Sequence, residues 1–168
     1  MSWPVSVQLL TIVRLALVLA VANGAPVIAA LIFGQRFAVR IDAGLDFLDG
    51  RPLLGKSKTL RGVLVSVLSS ALAAPLLGFD WQIGIAVGSA AMAGDLFSSF
   101  VKRRLKLAPS SRATGLDQIP ESLFPLLACR TALSLSVLDI AIAVAIFFAG
   151  EVVLSLLLYK IHIRDRPY

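Results

Sequence analysis

The stretch Ile83–Arg104, IGIAVGSAAMAGDLFSSFVKRR, decides the fold class of this chain. From Ile83 to Ala93 it carries no charge; it then closes on Asp95, two hydroxyls and three consecutive cations. Extended back to Trp81, the apolar run reaches the ~20 residues that a helix needs to cross about 30 Å of hydrocarbon. At its end Asp95, Ser99 and Lys102 stand at positions i, i+4 and i+7, which a helix brings within about 60° of one another. An aspartate ending a lipid-length helix is costly unless it binds something, so Asp95 is a functional candidate. A carboxylate suits a metal and the adjoining cations suit phosphate. The combination points to phosphoryl chemistry at a membrane surface.

The rest of the chain agrees with a membrane reading. Of its 168 residues 58% are hydrophobic, and the mean hydropathy is +0.87. Soluble domains average about 45–50% apolar residues, so the excess must face lipid. Five apolar segments are present: Val5–Phe33, Val63–Leu77, Trp81–Val101, Ile119–Ser136 and Ile140–Tyr159. Asp139, with Ser134 and Ser136 beside it, marks a hairpin between the last two. The pattern predicts an all-α polytopic membrane protein of five transmembrane helices, forming one integral-membrane domain over residues 1–168.

Charge placement gives the orientation. Fourteen of the sixteen Lys and Arg fall in Arg36–Arg61, Lys102–Arg112 and Lys160–Arg166. The connections Gly78–Gln82 and Leu135–Asp139 hold aspartate and no cation, and Met1–Thr11 has no Lys or Arg. Five alternating spans put all three basic clusters on one face, which the positive-inside rule makes the cytoplasm. The expected location is the cell membrane, multi-pass, with the N-terminus outside and the C-terminus cytoplasmic. With no soluble domain to present them, the cations give no nucleic-acid surface. Cys129 is the only cysteine, which excludes an intrachain disulfide. A cleaved signal peptide is not expected, because the first segment lacks a basic leader and a small-residue cleavage site.

Several polar residues interrupt the apolar runs. Asn23-Gly24-Ala25-Pro26 lies in the first segment, where Pro26 removes a helical hydrogen bond and predicts a kink near Ala22. Asn23 is then either part of a plain kink or a polar ligand held at the break. Arg14 snorkels outward or faces the bundle, and Arg130 needs a partner inside it.

The first cytoplasmic loop contains Gly50-Arg-Pro-Leu-Leu-Gly55-Lys56-Ser57, which satisfies the P-loop expression GxxxxGK[ST]. A P-loop needs a parallel sheet around it, and a short loop between two membrane spans has room for none. The local chemistry survives that rejection. Lys56, Ser57, Lys58 and Thr59, entering a helix at Leu60 with Arg61 next, offer free N–H groups, hydroxyls and positive charge, which makes an anion site. Asp42, Asp46 and Asp49 neutralise this cluster, or one of them binds a metal.

Asp117 precedes the fourth segment as a helix cap or as a metal carboxylate on the same membrane face as Asp95, with Glu121 one turn on as a third candidate. Mg²⁺ commonly takes one or two carboxylates and completes its shell with substrate phosphates. His162 is the only histidine, so Ser–His hydrolase chemistry is excluded.

With these motifs placed, the chain resembles the CDP-archaeol synthase family of integral-membrane CTP-dependent cytidylyltransferases, and more distantly the phosphatidate cytidylyltransferases. The residues that carry the resemblance are Asn23–Pro26, the loop from Asp42 through Asp49-Gly50 and Gly55-Lys56-Ser57-Lys58-Thr59-Leu60-Arg61-Gly62, then Gly94–Arg104 and Leu116-Asp117-Gln118. The resemblance implies a charged cavity open to the cytoplasm and Mg²⁺-dependent transfer of a cytidylyl group from CTP to a lipid phosphate, with release of pyrophosphate. It implies catalytic roles for Asp95, Asp117, Lys102, Arg103 and Arg104, with Asp95 and Asp117 sharing the Mg²⁺. It implies substrate binding by Asn23, Lys56, Ser57, Lys58, Thr59, Arg61, Ser99 and Gln118. Leu60 stands where archaeal members carry tryptophan, and Ile119–Ser122 departs from their pattern. The lipid therefore stays open between an isoprenoid ether phosphate and a diacyl phosphatidate.

The competing class is a membrane transporter or channel for an anionic or polar solute, with Asn23 and Arg130 on its path. Inverted repeats would favour it, and none is found.

Overall fold

The computed structural model describes residues 7–107, 113 and 115–160. Five helices follow one another: α1 (Leu9–Phe33), α2 (Leu60–Leu76), α3 (Trp81–Arg104), α4 (Gln118–Ala128) and α5 (Val137–Lys160). Among the described residues there is no strand, only two isolated bridges, Arg40 with Thr59 and Asp46 with Pro52. α1 and α3 are each long and apolar enough to cross a bilayer, and α2 is a shorter apolar helix.

Small residues let the helices approach. A Cβ on Gly84 would lie 2.2 Å from the Ser70 carbonyl oxygen, and one on Gly88 2.2 Å from Ser70 Oγ. This seam of Gly84 and Gly88 against Ser66 and Ser70 is how helices associate in lipid, where no hydrophobic drive exists between them and close van der Waals contact must supply the attraction. Ser70 Oγ donates to the Ser66 carbonyl oxygen at 2.6 Å, so its hydroxyl is satisfied within its own helix. The buried core joins Ile12, Leu15 and Leu19 of α1 to Val87 and Ala91 of α3 and to Ala143 and Phe147 of α5. Outward, Leu31, Leu72 and Leu76 are almost fully exposed, which is the surface expected of lipid-facing helices.

Three expectations need correction. α1 runs unbroken through Asn23–Pro26, so the interruption expected there is absorbed within a continuous helix. The fourth segment, expected as a span over Ile119–Ser136, is an 11-residue helix, about 16 Å long and too short to cross a bilayer by itself. It ends at Ala128, and the chain then turns through Cys129–Leu135, with Ser134 at φ 51°. The turn therefore precedes Asp139, which lies in the first turn of α5. There the Asp139 backbone N–H donates to Ser136 Oγ at 3.1 Å, and the Asp139 carboxylate accepts from the Ser136 N–H at 2.9 Å. This reciprocal capping box starts the new helix. The same carboxylate accepts from the Gln8 N–H at 2.9 Å, fastening the start of α1 to the start of α5.

Candidate functional site

The first loop is a compact knot organised by one buried carboxylate. Its two ends pair where the Ile41 N–H donates to the Lys58 carbonyl at 3.0 Å and the Leu60 N–H to the Val39 carbonyl at 2.9 Å. Its tip closes where the Phe47 N–H donates to the Arg51 carbonyl at 2.7 Å, with Gly50 at φ 70°. Between these tiers Asp42 accepts from the N–H groups of Gly44, Leu54 and Gly55 at 3.0–3.2 Å and pairs with Arg40 at 3.1 Å. Burial opposes ionisation of this carboxyl, but the donors of Gly55, Gly44, Leu54 and Arg40 outweigh it and hold the pKa at about 2. Gly55, at φ 110°, gives the reversal that presents Lys56–Thr59.

The knot is fastened to the helices at two points. Arg61 donates to the carbonyls of Gly34 and Arg36 at 2.9 and 2.6 Å, taking up carbonyl groups just past the end of α1. Arg104, at the end of α3, pairs with Asp49, donates to the Pro52 carbonyl at 2.7 Å, and stacks on Phe47 and Phe100 at 4.7 and 5.1 Å. Thr59 caps α2 by accepting from the Gly62 N–H at 3.2 Å, which begins the helix at Leu60 as its sequence predicts.

Where the loop meets the bundle there is a cavity of about 390 Å³, reached by all five helices. Asn23 and Pro26 line it from α1, Asp95 from α3, Glu121 from α4 and Glu151 from α5, with Ser57, Lys58 and Thr59 at its loop side. Lys58 Nζ donates to both oxygens of Asp95 at 2.6 Å. Three carboxyls, Asp95, Glu121 and Glu151, thus share this one space. Nδ2 of Asn23 is buried and has no hydrogen-bond partner among the described residues.

Asp117 belongs to a neighbouring pair. Its carboxylate accepts from the Ala113 N–H at 3.2 Å and meets Lys102 Nζ at 2.7 Å. It does not cap α4. Gln118 Oε1 accepts from the Gly115 N–H at 2.8 Å, shaping the entry to α4. Arg103 and Ser99 are buried on α3.

Of the residues expected at the site, Asn23, Ser57, Lys58, Thr59 and Asp95 therefore converge on one cavity. Asp117 and Lys102 form a separate ion pair, Arg61 and Arg104 brace the loop, and Lys56 is exposed on it. Sequence reasoning overlooked Glu151, although a carboxylate alone in an apolar segment is a signal in itself. It also chose Ser99 over Ser98. Ser98 Oγ bonds to the carbonyls of Gly94 and Leu116 at 2.9 and 2.8 Å and ties α3 to the start of α4.

A family model described as CDP-archaeol synthase (CarS-like) matches residues 7–83 and 76–168. The chain belongs to the CDP-archaeol synthase family. It is 35% identical to the CDP-archaeol synthase of Sulfurisphaera tokodaii over 134 residues, 76% of this chain and 81% of that protein. It is 32% identical to that of Pyrobaculum calidifontis over 153 residues, 88% and 91% of the two chains. It superposes with a TM-score of 0.72 on a solved intramembrane enzyme for archaeal membrane lipids biosynthesis, at 29% identity, covering 84% of this chain and 90% of the other. The family is one of cytidylyltransferases that make a CDP-lipid, and nothing in these relatives favours a transporter.

Proposed function

We propose that this chain transfers the cytidylyl group of CTP to the phosphate of an isoprenoid ether lipid within a membrane, forming a CDP-lipid and releasing pyrophosphate. The observation that carries this reading is the cavity in which Lys58, Ser57 and Thr59 stand opposite Asp95. The choice of an ether lipid is supported by relatives named for CDP-archaeol.

The lipid phosphate is a phosphomonoester with a second pKa near 6, so it is already a dianion near neutral pH and needs no histidine base. It attacks the α-phosphorus of CTP, and the bond to the β-phosphate oxygen breaks. The protein's work is to position two anions and offset their charge. Lys58 and the hydroxyls of Ser57 and Thr59, at the start of α2, receive the triphosphate, with Lys56 adding positive charge from outside. Lys102, Arg103 and Arg104 make the end of α3 basic at headgroup depth, with Arg104 acting through the loop it clamps.

The donor set fits Mg²⁺: a carboxylate lining one cavity with two further carboxyls, beside a lysine, has the oxygen ligands and charge demand of a hard cation. Asp95 would hold it from the cavity, and Asp117 would join by releasing Lys102. Mg²⁺ would supply neutralisation of the phosphate charge. We further propose five crossings, the fourth completed by α4 together with the Cys129–Leu135 turn that follows it, with an outer N-terminus and a cavity facing the cytoplasm.

The test is incubation of the purified protein with labelled CTP, Mg²⁺ and either an isoprenoid ether phosphate or a diacyl phosphatidate. A CDP-lipid formed preferentially from the ether substrate is the expected product. No CDP-lipid from either would overturn the reading.

A further inference from the structure

We infer that the tip of the first loop, Leu45–Pro52, is seated in the lipid leaflet at the α3 end of the bundle. Leu45 and Leu48 enter the boundary between headgroups and acyl chains. The inference rests on the chain's place in a membrane and is independent of the reaction it carries out. An aromatic pair sets the depth. Phe100 belongs to the apolar segment of α3, one turn before Arg104, and the Phe47 ring packs edge-on against it with centroids 5.3 Å apart. Arg51 Nη1 donates to the Arg104 carbonyl at 3.1 Å, and Arg104 pairs with Asp49, so both sides of the turn are held to that helix end. The tip therefore lies beside the last turn of a helix long and apolar enough to cross a bilayer.

Its surface suits lipid better than water. Among the described residues nothing covers Leu48, which is 97% exposed, and Leu45 is exposed too. Burial of such side chains among acyl chains is favourable, as for other elements that lie in a membrane interface. The loop begins in the same way. Phe37 is exposed, meets Phe33 of α1 edge-on at 6.4 Å, and continues the lipid-facing surface of Leu31 and Ile32. Its φ of 60° is a costly backbone for a bulky residue, and little burial within the protein offsets it. Charge fits the same neighbour. From Arg36 to Arg61 six cations stand against three aspartates, which suits a surface of lipid phosphates. Asp49 is neutralised by Arg104, and the exposed carboxylate of Asp46 limits insertion to a shallow depth.

The experiment labels Leu48→Cys of the full-length protein, in a Cys129→Ala background, with an environment-sensitive fluorophore. Lys56→Cys, exposed on the same loop, is the reference. Both are reconstituted in nanodiscs of mixed neutral and anionic phospholipid. Quenching is read from iodide in the water and from lipid carrying a nitroxide near its headgroup. The Leu48 label should be quenched several-fold more by the lipid nitroxide than the Lys56 label, and several-fold less by iodide. Equal quenching of the two labels by either quencher overturns the inference, because the tip then lies no deeper than the rest of the loop. Protection of the Leu48 label from both quenchers puts a protein surface over it and overturns the inference as well. Leu45→Cys gives the same reading if Leu48→Cys does not fold. No turnover is measured, so the outcome stands apart from CDP-lipid formation.

Discussion

Gly94 and Pro120 are in direct contact, a hydrogen-for-backbone approach so close that a single methyl at Gly94 would sit 2.3 Å from the Pro120 oxygen and 2.8 Å from the Glu121 nitrogen. This contact sets how near α4 lies to Asp95. Gly94→Ala should push α4 away, and overpacking of this kind costs about 1–3 kcal/mol. Thermal melting in detergent should register the loss, and CDP-lipid formation should fall with it. Gly24→Ala is the control, because a Cβ there meets nothing within 4 Å. Equal melting temperatures for the two variants would show that the contact is not limiting.

Asp42 links the loop to pH. Its carboxyl has an ordinary value of 3.8 and a folded value of about 2, so the folded state binds its proton less readily than the unfolded chain. The stabilisation is complete above about pH 4 and is lost as pH falls through about 2; a shift of this size corresponds to about 2 kcal/mol. Asp42→Asn should lower the melting temperature at pH 6 and flatten its decline between pH 4 and 2. A variant whose pH profile parallels the wild type would assign that decline to other groups.

Lys58 and Arg61 are near neighbours in sequence with different work. Lys58→Ala should raise the KM for CTP by about tenfold or more while leaving the fold intact. Arg61→Ala should chiefly lower stability, by about 1–3 kcal/mol, because it abandons carbonyls just past the end of α1. If both variants shift KM equally and neither melts early, Arg61 is a substrate ligand too.

Arg104 should behave as a brace. Arg104→Ala removes its pair with Asp49 and its stacking on Phe47 and Phe100. Limited proteolysis between Phe47 and Arg51 should then become several-fold faster. A protected loop with a raised KM for lipid would place Arg104 against substrate instead.

Topology has its own test. Cysteines introduced at Ser2 and Ser110, in a Cys129→Ala background, should label from opposite sides of the membrane. Labelling of both from one side would contradict five spans. Both positions, and the tail beyond Lys160, lie outside the described residues.

Local signals were readable without the structure. The start of α2 at Leu60, behind Lys56–Thr59, follows from rules that act over a few residues. The early end of α4 was less visible, because Cys129–Leu135 is apolar enough to pass for more helix. Only the Ser136–Asp139 box announced that a new helix begins. Partnerships across the chain carry no periodic signature. Lys58 with Asp95, Arg104 with Asp49 and Lys102 with Asp117 arise from packing, so three cations that resemble one another in sequence take three different roles. Glu121 could be named as a candidate, but only the packing of α4 against α3 places it in the cavity.

The knot around Asp42 carries a thermodynamic consequence. Gly44, Leu54 and Gly55 have given up their backbone freedom to that carboxylate before any nucleotide arrives. An anion binding beside Gly55 therefore loses little configurational entropy in the protein. Association at this segment is governed by charge and dehydration, and calorimetry should find a favourable enthalpy that weakens as salt rises, without the large entropic penalty of a loop that orders on binding.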